Sequence, residues 1–418
     1  MSSIAALGDL LMNPIDSFKK ECQIGGRIAR NRFLAQPCEH NHARADGAFS
    51  NPLLDFYRRM KAGNWGVVVV ETTATSSREK CRKHELVLTD EAKNEGSWQN
   101  FFQEMKTKET DQRRAEGDTL WVLQITAAGH MNVAGPPRAL FNGQRELPNG
   151  PVLSTDEIDA RLDEYVHATR LAYERGADGI DFKQCHGYFA GVFLRPNNQR
   201  LDDYGGCFEN RTRFVEEYMR RAKKEVGDNN FLWTTRINGW DGGYPGGFGM
   251  GGPAVLERTG TNPNAWIRDI TEVERFYGLL NTLGFDLVNV SAGITVPTGK
   301  MNPKFALHPN FFILQDLALH AKTCFRERQS RVAIASTGWS ALGLHAFTIG
   351  SCYLDHGIDL IGFGRWQLCE PLLPKKVLEA PNVDPSDYIQ GNANVCLACG
   401  KCTTGLRGEG PVKCAIYE

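Results

Sequence analysis

Short runs of apolar, mostly β-branched residues recur along the chain, and most are followed by a stretch in which apolar positions return at helical spacing. Eight such runs stand out, at 32–35, 66–70, 120–125, 177–182, 231–237, 285–290, 332–335 and 358–363. Runs that are apolar throughout suit strands covered on both faces, and helices between them suit parallel pairing. Eight units spread over about 350 residues predict an α/β fold, a (β/α)₈ TIM barrel rather than a doubly wound sheet. Two helices announce their ends. Ser154-Thr155-Asp156-Glu157 reads as a capping box opening a helix to Arg175 that Gly176 stops, and a second helix over 209–226 ends at Gly227.

Two regions break the pattern. Between 238 and 261, Trp240-Asp241-Gly242-Gly243-Tyr244-Pro245-Gly246-Gly247-Phe248 is too rich in glycine for a helix and predicts a long loop at the C-terminal end of the fifth strand, either a substrate lid or a surface insertion. After Pro371 periodicity fades and four cysteines appear. The expected organisation is a barrel over 1–380 with a cysteine-rich tail over 381–418.

Charge changes little in this picture. The 418 residues carry 48 basic and 49 acidic side chains, a formal net charge of -1, so no global field points to nucleic acid or a membrane surface. A small molecule is the expected partner. The first residues lack a basic start and a long apolar run, and no stretch of about 18 apolar residues occurs, which points to the cytoplasm. In that reducing compartment the 12 cysteines are expected as packing residues, metal ligands or reactive thiols rather than disulfides.

In such a barrel the chemistry gathers at the C-terminal ends of the strands. The polar residues there are Pro37-Cys38-Glu39-His40, Glu71-Thr72-Thr73, Gln124, Lys183 with His186 and Tyr188, Arg236, Ser291-Ala292-Gly293, Ser336-Thr337-Gly338 and Gly364-Arg365. As a set they carry more than singly. His186-Gly187-Tyr188, Phe193-Leu194-Arg195-Pro196, Asn198, Arg200, Asp202-Asp203-Tyr204-Gly205-Gly206 and Glu209-Asn210-Arg211 closely resemble the signature of the Old Yellow Enzyme family. Asn31-Arg32, Pro37, Glu71, Gln124, Arg236, Ser291-Ala292-Gly293 and Gly364-Arg365 resemble the same family in order, from about Pro14 to Pro374.

That resemblance implies FMN and an NAD(P)H-linked oxidoreductase. Gly338 and the Gly364-Arg365 pair suit the phosphate, which needs backbone amides in a glycine-rich turn and a cation. Arg236 would stand beside the pyrimidine edge, or else form a buried ion pair inside the barrel. Gln124 would hydrogen-bond the same ring, and groups around Pro37, Cys38, Thr72 and Gly293 would complete the pocket. At the place of tuning, the alignment offers Glu39 or, shifted by one, Cys38. A carboxylate there would disfavour an anionic reduced flavin.

The family's substrate pair and proton donor fall on Lys183, His186 and Tyr188. The expected reaction is reduction of the C=C bond of an α,β-unsaturated carbonyl or carboxylate. Lysine in the pair is a departure that suits an anionic substrate, or else it pairs with a carboxylate such as Glu39. Two other readings of these residues stay open: a flavin-free lyase with a Schiff base on Lys183, and a non-enzymatic module with a zinc-holding tail.

Cys396, Cys399 and Cys402 at two-residue gaps, with Cys414 following, are spaced to hold a soft metal site. The three-in-a-row spacing favours a 4Fe-4S cluster over zinc. It is similar to the iron-sulfur branch of the family, the trimethylamine dehydrogenase and 2,4-dienoyl-CoA reductase type, whose members continue for roughly 250 to 300 more residues of nucleotide-binding domains. A chain ending at Glu418 would need an outside electron-transfer protein, or NAD(P)H bound over the flavin. An FMN amine dehydrogenase or oxidative N-demethylase is then the alternative function. A homo-oligomer is expected.

Overall fold

A computed structural model describes residues 13–107, 118–242, 246–249, 269–294, 309–380, 394–404 and 410–417. Eight parallel strands form the centre: β1 Phe33–Ala35, β2 Val67–Ala74, β3 Leu120–Thr126, β4 Gly179–Gln184, β5 Leu232–Asn238, β6 Leu287–Ser291, β7 Ala333–Ser336 and β8 Leu360–Phe363. Each pairs with the next, and β8 pairs with β1, so the sheet closes on itself as a (β/α)₈ barrel.

Alternation inside the apolar runs explains the two layers. Val67 and Val69 point into the barrel with Leu34, Leu120, Val122, Leu232, Leu287, Ala333, Ala335 and Leu360. Val68 and Val70 point outward to the helices. The antiparallel pair Cys22–Ile24 and Arg27–Ala29 adds Cys22, Ile24 and Ala29 to the interior cluster, which plugs the barrel below.

Seven helices alternate with the strands: α1 Asn51–Ala62, α2 Ala92–Lys106, α3 Thr155–Glu174, α4 Phe208–Val226, α5 Thr271–Leu283, α6 Pro309–Glu327 and α7 His345–Asp355. The capping box at Ser154 and Glu157 is present, and Gly176 follows α3 at φ +95°. Gly227 ends α4 in the left-handed conformation. No helix among the described residues is long and apolar enough to cross a membrane.

Strands β3 to β7 run one or two residues further than the apolar runs, and β2 runs four. Lys183 pairs with Arg236 and Asn238 with Ser291 in the ladder. Backbone pairing continues where side chains turn polar, because polar strand ends face the site rather than the core.

Candidate active site

The second strand sets the site's geometry. Its register with β3 shifts between Val70 and Thr73, a bulge that re-aims Glu71 and Thr72. Thr72 Oγ1 donates to Gln124 Oε1 at 2.5 Å, and Gln124 Nε2 donates to Asp181 Oδ2 at 2.6 Å. Glu71 instead receives His40 Nδ1 at 2.8 Å and the His40 backbone N–H.

Lys183, at the end of β4, crosses to this side. Its Nζ donates to Thr72 Oγ1 at 2.8 Å and to Glu39 Oε1 at 2.9 Å, and stands 3.2 Å from the centroid of the Tyr188 ring. Tyr188 donates its hydroxyl to the same Glu39 oxygen, and Arg82 reaches Glu39 Oε2 at 3.2 Å. Burial would raise the Glu39 carboxyl, but Lys183 and Arg82 outweigh it and bring the group down to about 2. Burial and the Glu39 charge push the Tyr188 phenol well above its usual range, so it stays a neutral donor. Of the two sequence expectations for Lys183, the carboxylate pair is the arrangement found.

Across the mouth, Arg236 Nη2 lies 3.4 Å from both Ser291 Oγ and Thr337 Oγ1, while its Nε is buried without a hydrogen-bond partner. His186 sits at φ +59° with Nε2 2.8 Å from Ser291 Oγ. Burial, reinforced by Arg236 and Lys183, holds its imidazole well below the usual range and therefore neutral. Asn238 Nδ2 donates to Gly293 O and to Asp241 Oδ1, each at 2.8 Å.

Gly338 takes φ +96° after β7. Gly364 caps the short helix Arg365–Cys369 after β8. A half-buried guanidinium with a buried, unmatched Nε–H, and two glycine turns at the barrel's C-terminal end, suit a flavin's ring edge and phosphate.

Cys38 and Glu39 diverge. Cys38 Sγ accepts from Gln367 Nε2 at 3.2 Å, and burial pushes its thiol up to about 12. Behind it, Gln36 and Asn289 exchange amide hydrogen bonds of 3.2 and 2.7 Å.

The described ends of the glycine-rich stretch pack rather than dangle. Trp240 and Phe248 are buried, and Asp241 N–H donates to Phe248 O at 2.8 Å. Residues 243–245 and 250–268 of this stretch lie outside the described residues.

Cys396, Cys399, Cys402 and Cys414 line one small cavity together with Arg365 and Cys369. Cys369, expected only as packing, is thus a fifth thiol. It hydrogen-bonds Cys396 and holds that thiol below its ordinary value, against the effect of burial and with help from Ala398 N–H and Arg365. The tail is tied to the barrel mouth. Val412 N–H donates to His40 O at 2.7 Å, Asn41 Nδ2 to Gly410 O at 3.0 Å, Arg365 Nη1 to Ala398 O at 3.3 Å and Trp366 Nε1 to Asn394 O at 2.8 Å.

Sequence reading missed Arg82 and Cys369, which no spacing ties to their partners. It also missed Asp181, Gln36 and Asn289. These are polar residues within or beside apolar strands, a signal that was available.

The chain resembles known proteins over most of its length. Residues 20–246, more than half of it, match the model of the NADH:flavin oxidoreductase / NADH oxidase family. An NADH oxidase of Thermoanaerobacter brockii is 25% identical over 93% of this chain and 53% of its own length. An NADPH dehydrogenase of Bacillus velezensis is 30% identical over 64% of this chain and 70% of its own. Among solved structures, histamine dehydrogenase from Rhizobium sp. 4-9 superposes with a TM-score of 0.71 at 22% identity, covering 96% of this chain and 52% of that one. The Old Yellow Enzyme homologue of Zymomonas mobilis gives 0.63 at 18% identity, covering 90% and 99%. The chain therefore spans about half the length of the NADH oxidase and the histamine dehydrogenase but nearly all of the single-barrel homologue. With the fold, the strand-end residues and the family match in agreement, the chain belongs to the NADH:flavin oxidoreductase / NADH oxidase family, the Old Yellow Enzyme type.

Proposed function

We propose that the protein is an FMN-dependent NAD(P)H oxidoreductase that reduces the C=C bond of an α,β-unsaturated carbonyl or carboxylate. The observation that carries this reading is the Arg236 guanidinium, whose buried Nε–H has no partner within the protein. FMN, when bound, supplies the hydride chemistry. Arg236 would hold the ring's electron-rich edge, with Gln124, Thr72, Gly293 and backbone groups near Pro37 and Cys38 around it. Gly338, Gly364 and Arg365 would take the phosphate.

The protein's own groups manage the proton and the substrate oxygen. Tyr188 is the proton donor for the α-carbon. Its conjugate base would be formed beside the Lys183 ammonium and Arg82, two cations that stabilise a phenolate. Neutral His186 donates to the substrate oxygen, and Lys183 adds positive field while it stays paired with Glu39. Because Glu39 is matched by two cations, its charge is largely offset at the flavin, contrary to the potential-lowering effect expected of an isolated carboxylate.

A 4Fe-4S cluster on Cys396, Cys399, Cys402 and Cys414 fits the tail. The four thiols line one cavity, and their three-in-a-row spacing suits a cluster better than zinc. This cavity, tied to the barrel mouth, also favours a second reading: an amine dehydrogenase or oxidative N-demethylase that sends single electrons through the tail to a partner protein.

Anaerobic spectra of the purified chain test the cofactors. The visible bands of flavin are expected, with a broad shoulder that bleaches on reduction. A chain that neither retains nor takes up FMN would rule the reading out. A turnover screen of enones, unsaturated acids and methylated amines, with NADH and NADPH, separates reduction from demethylation.

A further inference from the structure

Far from the flavin residues, α5 and α6 bring together three donors of different kinds. His320 and Cys324 lie four residues apart on α6 and so share one face of that helix. Glu274, in the first turn of α5, meets them from the neighbouring helix. Glu274 Oε1 stands 2.9 Å from His320 Nε2, and Cys324 Sγ stands 3.4 Å from that same nitrogen. Among the described residues this is the one group of three such ligand atoms that all lie within 4.8 Å of one another. Cys324 is buried at 4% exposure, whereas the His320 and Glu274 side chains keep 30% and 42%. The sulfur is thus the buried donor, and the nitrogen and oxygen belong to partly exposed side chains.

We propose that Glu274, His320 and Cys324 bind one divalent ion of the zinc class, with the fourth position left to water. The donor set selects the ion. One thiolate, one imidazole and one carboxylate suit a borderline-soft cation, and Mg²⁺ or Ca²⁺ would want oxygen throughout. The size agrees as well. Zinc bonds of about 2.0–2.3 Å put neighbouring ligand atoms about 3.3–3.8 Å apart. The two contacts to His320 Nε2, at 2.9 and 3.4 Å, therefore have only to open by a few tenths of an ångström.

One neighbour opposes the ion. Arg328 Nη1 donates to Cys324 O at 2.8 Å and Nη2 to Glu274 O at 3.4 Å, and its guanidinium also hydrogen-bonds the Cys324 thiol. Binding must release the thiol proton and displace that contact, so Arg328 sets the affinity. An ion held here would staple α5 to α6 and would stabilise the folded chain by mass action.

The test is metal counting on the full chain, with Zn²⁺ for stoichiometry and Co²⁺ for spectroscopy. The tail thiols also take up these ions, so the parent is compared with C324S and H320Q, which share its tail. The parent is expected to retain one equivalent more than either variant. The difference spectrum, parent minus C324S, should also show a thiolate-to-cobalt charge-transfer band, and the same difference should persist when both chains carry C402S. R328Q should bind severalfold more tightly than the parent.

Zn²⁺ should raise the melting temperature of the parent by more than that of H320Q. If C324S does not fold, H320Q decides, because its side chain is partly exposed and its loss is tolerable in the metal-free protein. Equal equivalents in parent and H320Q would overturn the proposal and leave the three residues as an ion pair with a neighbouring thiol.

Discussion

The Lys183 ammonium lies 2.9 Å from Glu39 Oε1, although 144 residues separate the two in the chain. Both side chains are nearly buried, at 5% and 10% exposure, so neither charge has much water to fall back on. Removing Glu39 leaves the Lys183 ammonium without its carboxylate, which costs about 3–5 kcal/mol in a buried site. Glu39→Gln should therefore lower the melting temperature substantially. Adding Lys183→Met should restore part of the loss, and a double-mutant cycle by chemical denaturation measures the coupling. Strict additivity would mean that the pair contributes nothing.

Tyr188→Phe keeps the ring under Lys183 but removes the hydroxyl held by Glu39. Substrate reduction should slow by about 10²–10⁴-fold, while NAD(P)H consumption by the flavin half-reaction stays near normal. Stopped-flow measurement of the two half-reactions separates them. Equal slowing of both would contradict the proton-donor role.

Arg236→Ala would remove the proposed charge-assisted contact to the flavin, worth about 1.5–3 kcal/mol, so FMN affinity should fall by roughly ten- to a hundredfold. Arg236→Lys should fall between. Fluorescence titration of FMN into the stripped protein gives both numbers, and unchanged affinity would place the ring elsewhere.

Two carboxyls near the mouth pull stability in opposite directions with pH. Glu39 is held down to about 2, below its usual 4.5, so its stabilisation is present above pH 4.5 and fades as pH falls toward 2. Glu85 is buried, chiefly desolvated and also repelled by Glu39, and is pushed up to about 8. A raised acid favours folding below its unfolded value and loses that contribution as pH rises through the folded one. Denaturation midpoints should therefore decline between pH 4.5 and 8, and Glu85→Gln should flatten that decline. An unchanged slope in the variant would show that Glu85 does not titrate there.

Cys402→Ser removes one of the four proposed cluster ligands. Iron and acid-labile sulfide should drop to a small residue while flavin content holds. Parallel loss of FMN would mean that the tail is part of the flavin site.

The sequence by itself determined what depends on neighbours within a turn or a strand. Alternation in Val67–Val70 sets which faces are covered, the Ser154–Glu157 box and Gly176 set the ends of α3, and the apolar runs set the number and order of strands. It also placed Gln124, Lys183, His186, Tyr188 and Arg236 at strand ends, because a polar residue closing an apolar run has only the mouth to face.

Only the tertiary structure decided who meets whom there. Closure of the barrel, and the bulge at Glu71 and Thr72, bring Glu39 from the segment after β1 and Arg82 from the segment after β2 against Lys183 of β4 and Tyr188 just beyond it. The same holds for Cys369 beside Cys396 and for Glu274 beside His320 and Cys324. Such meetings follow from strand register and helix packing, which arise from the whole core at once rather than from any local spacing. A charge therefore reveals its place in the sequence but not its partner.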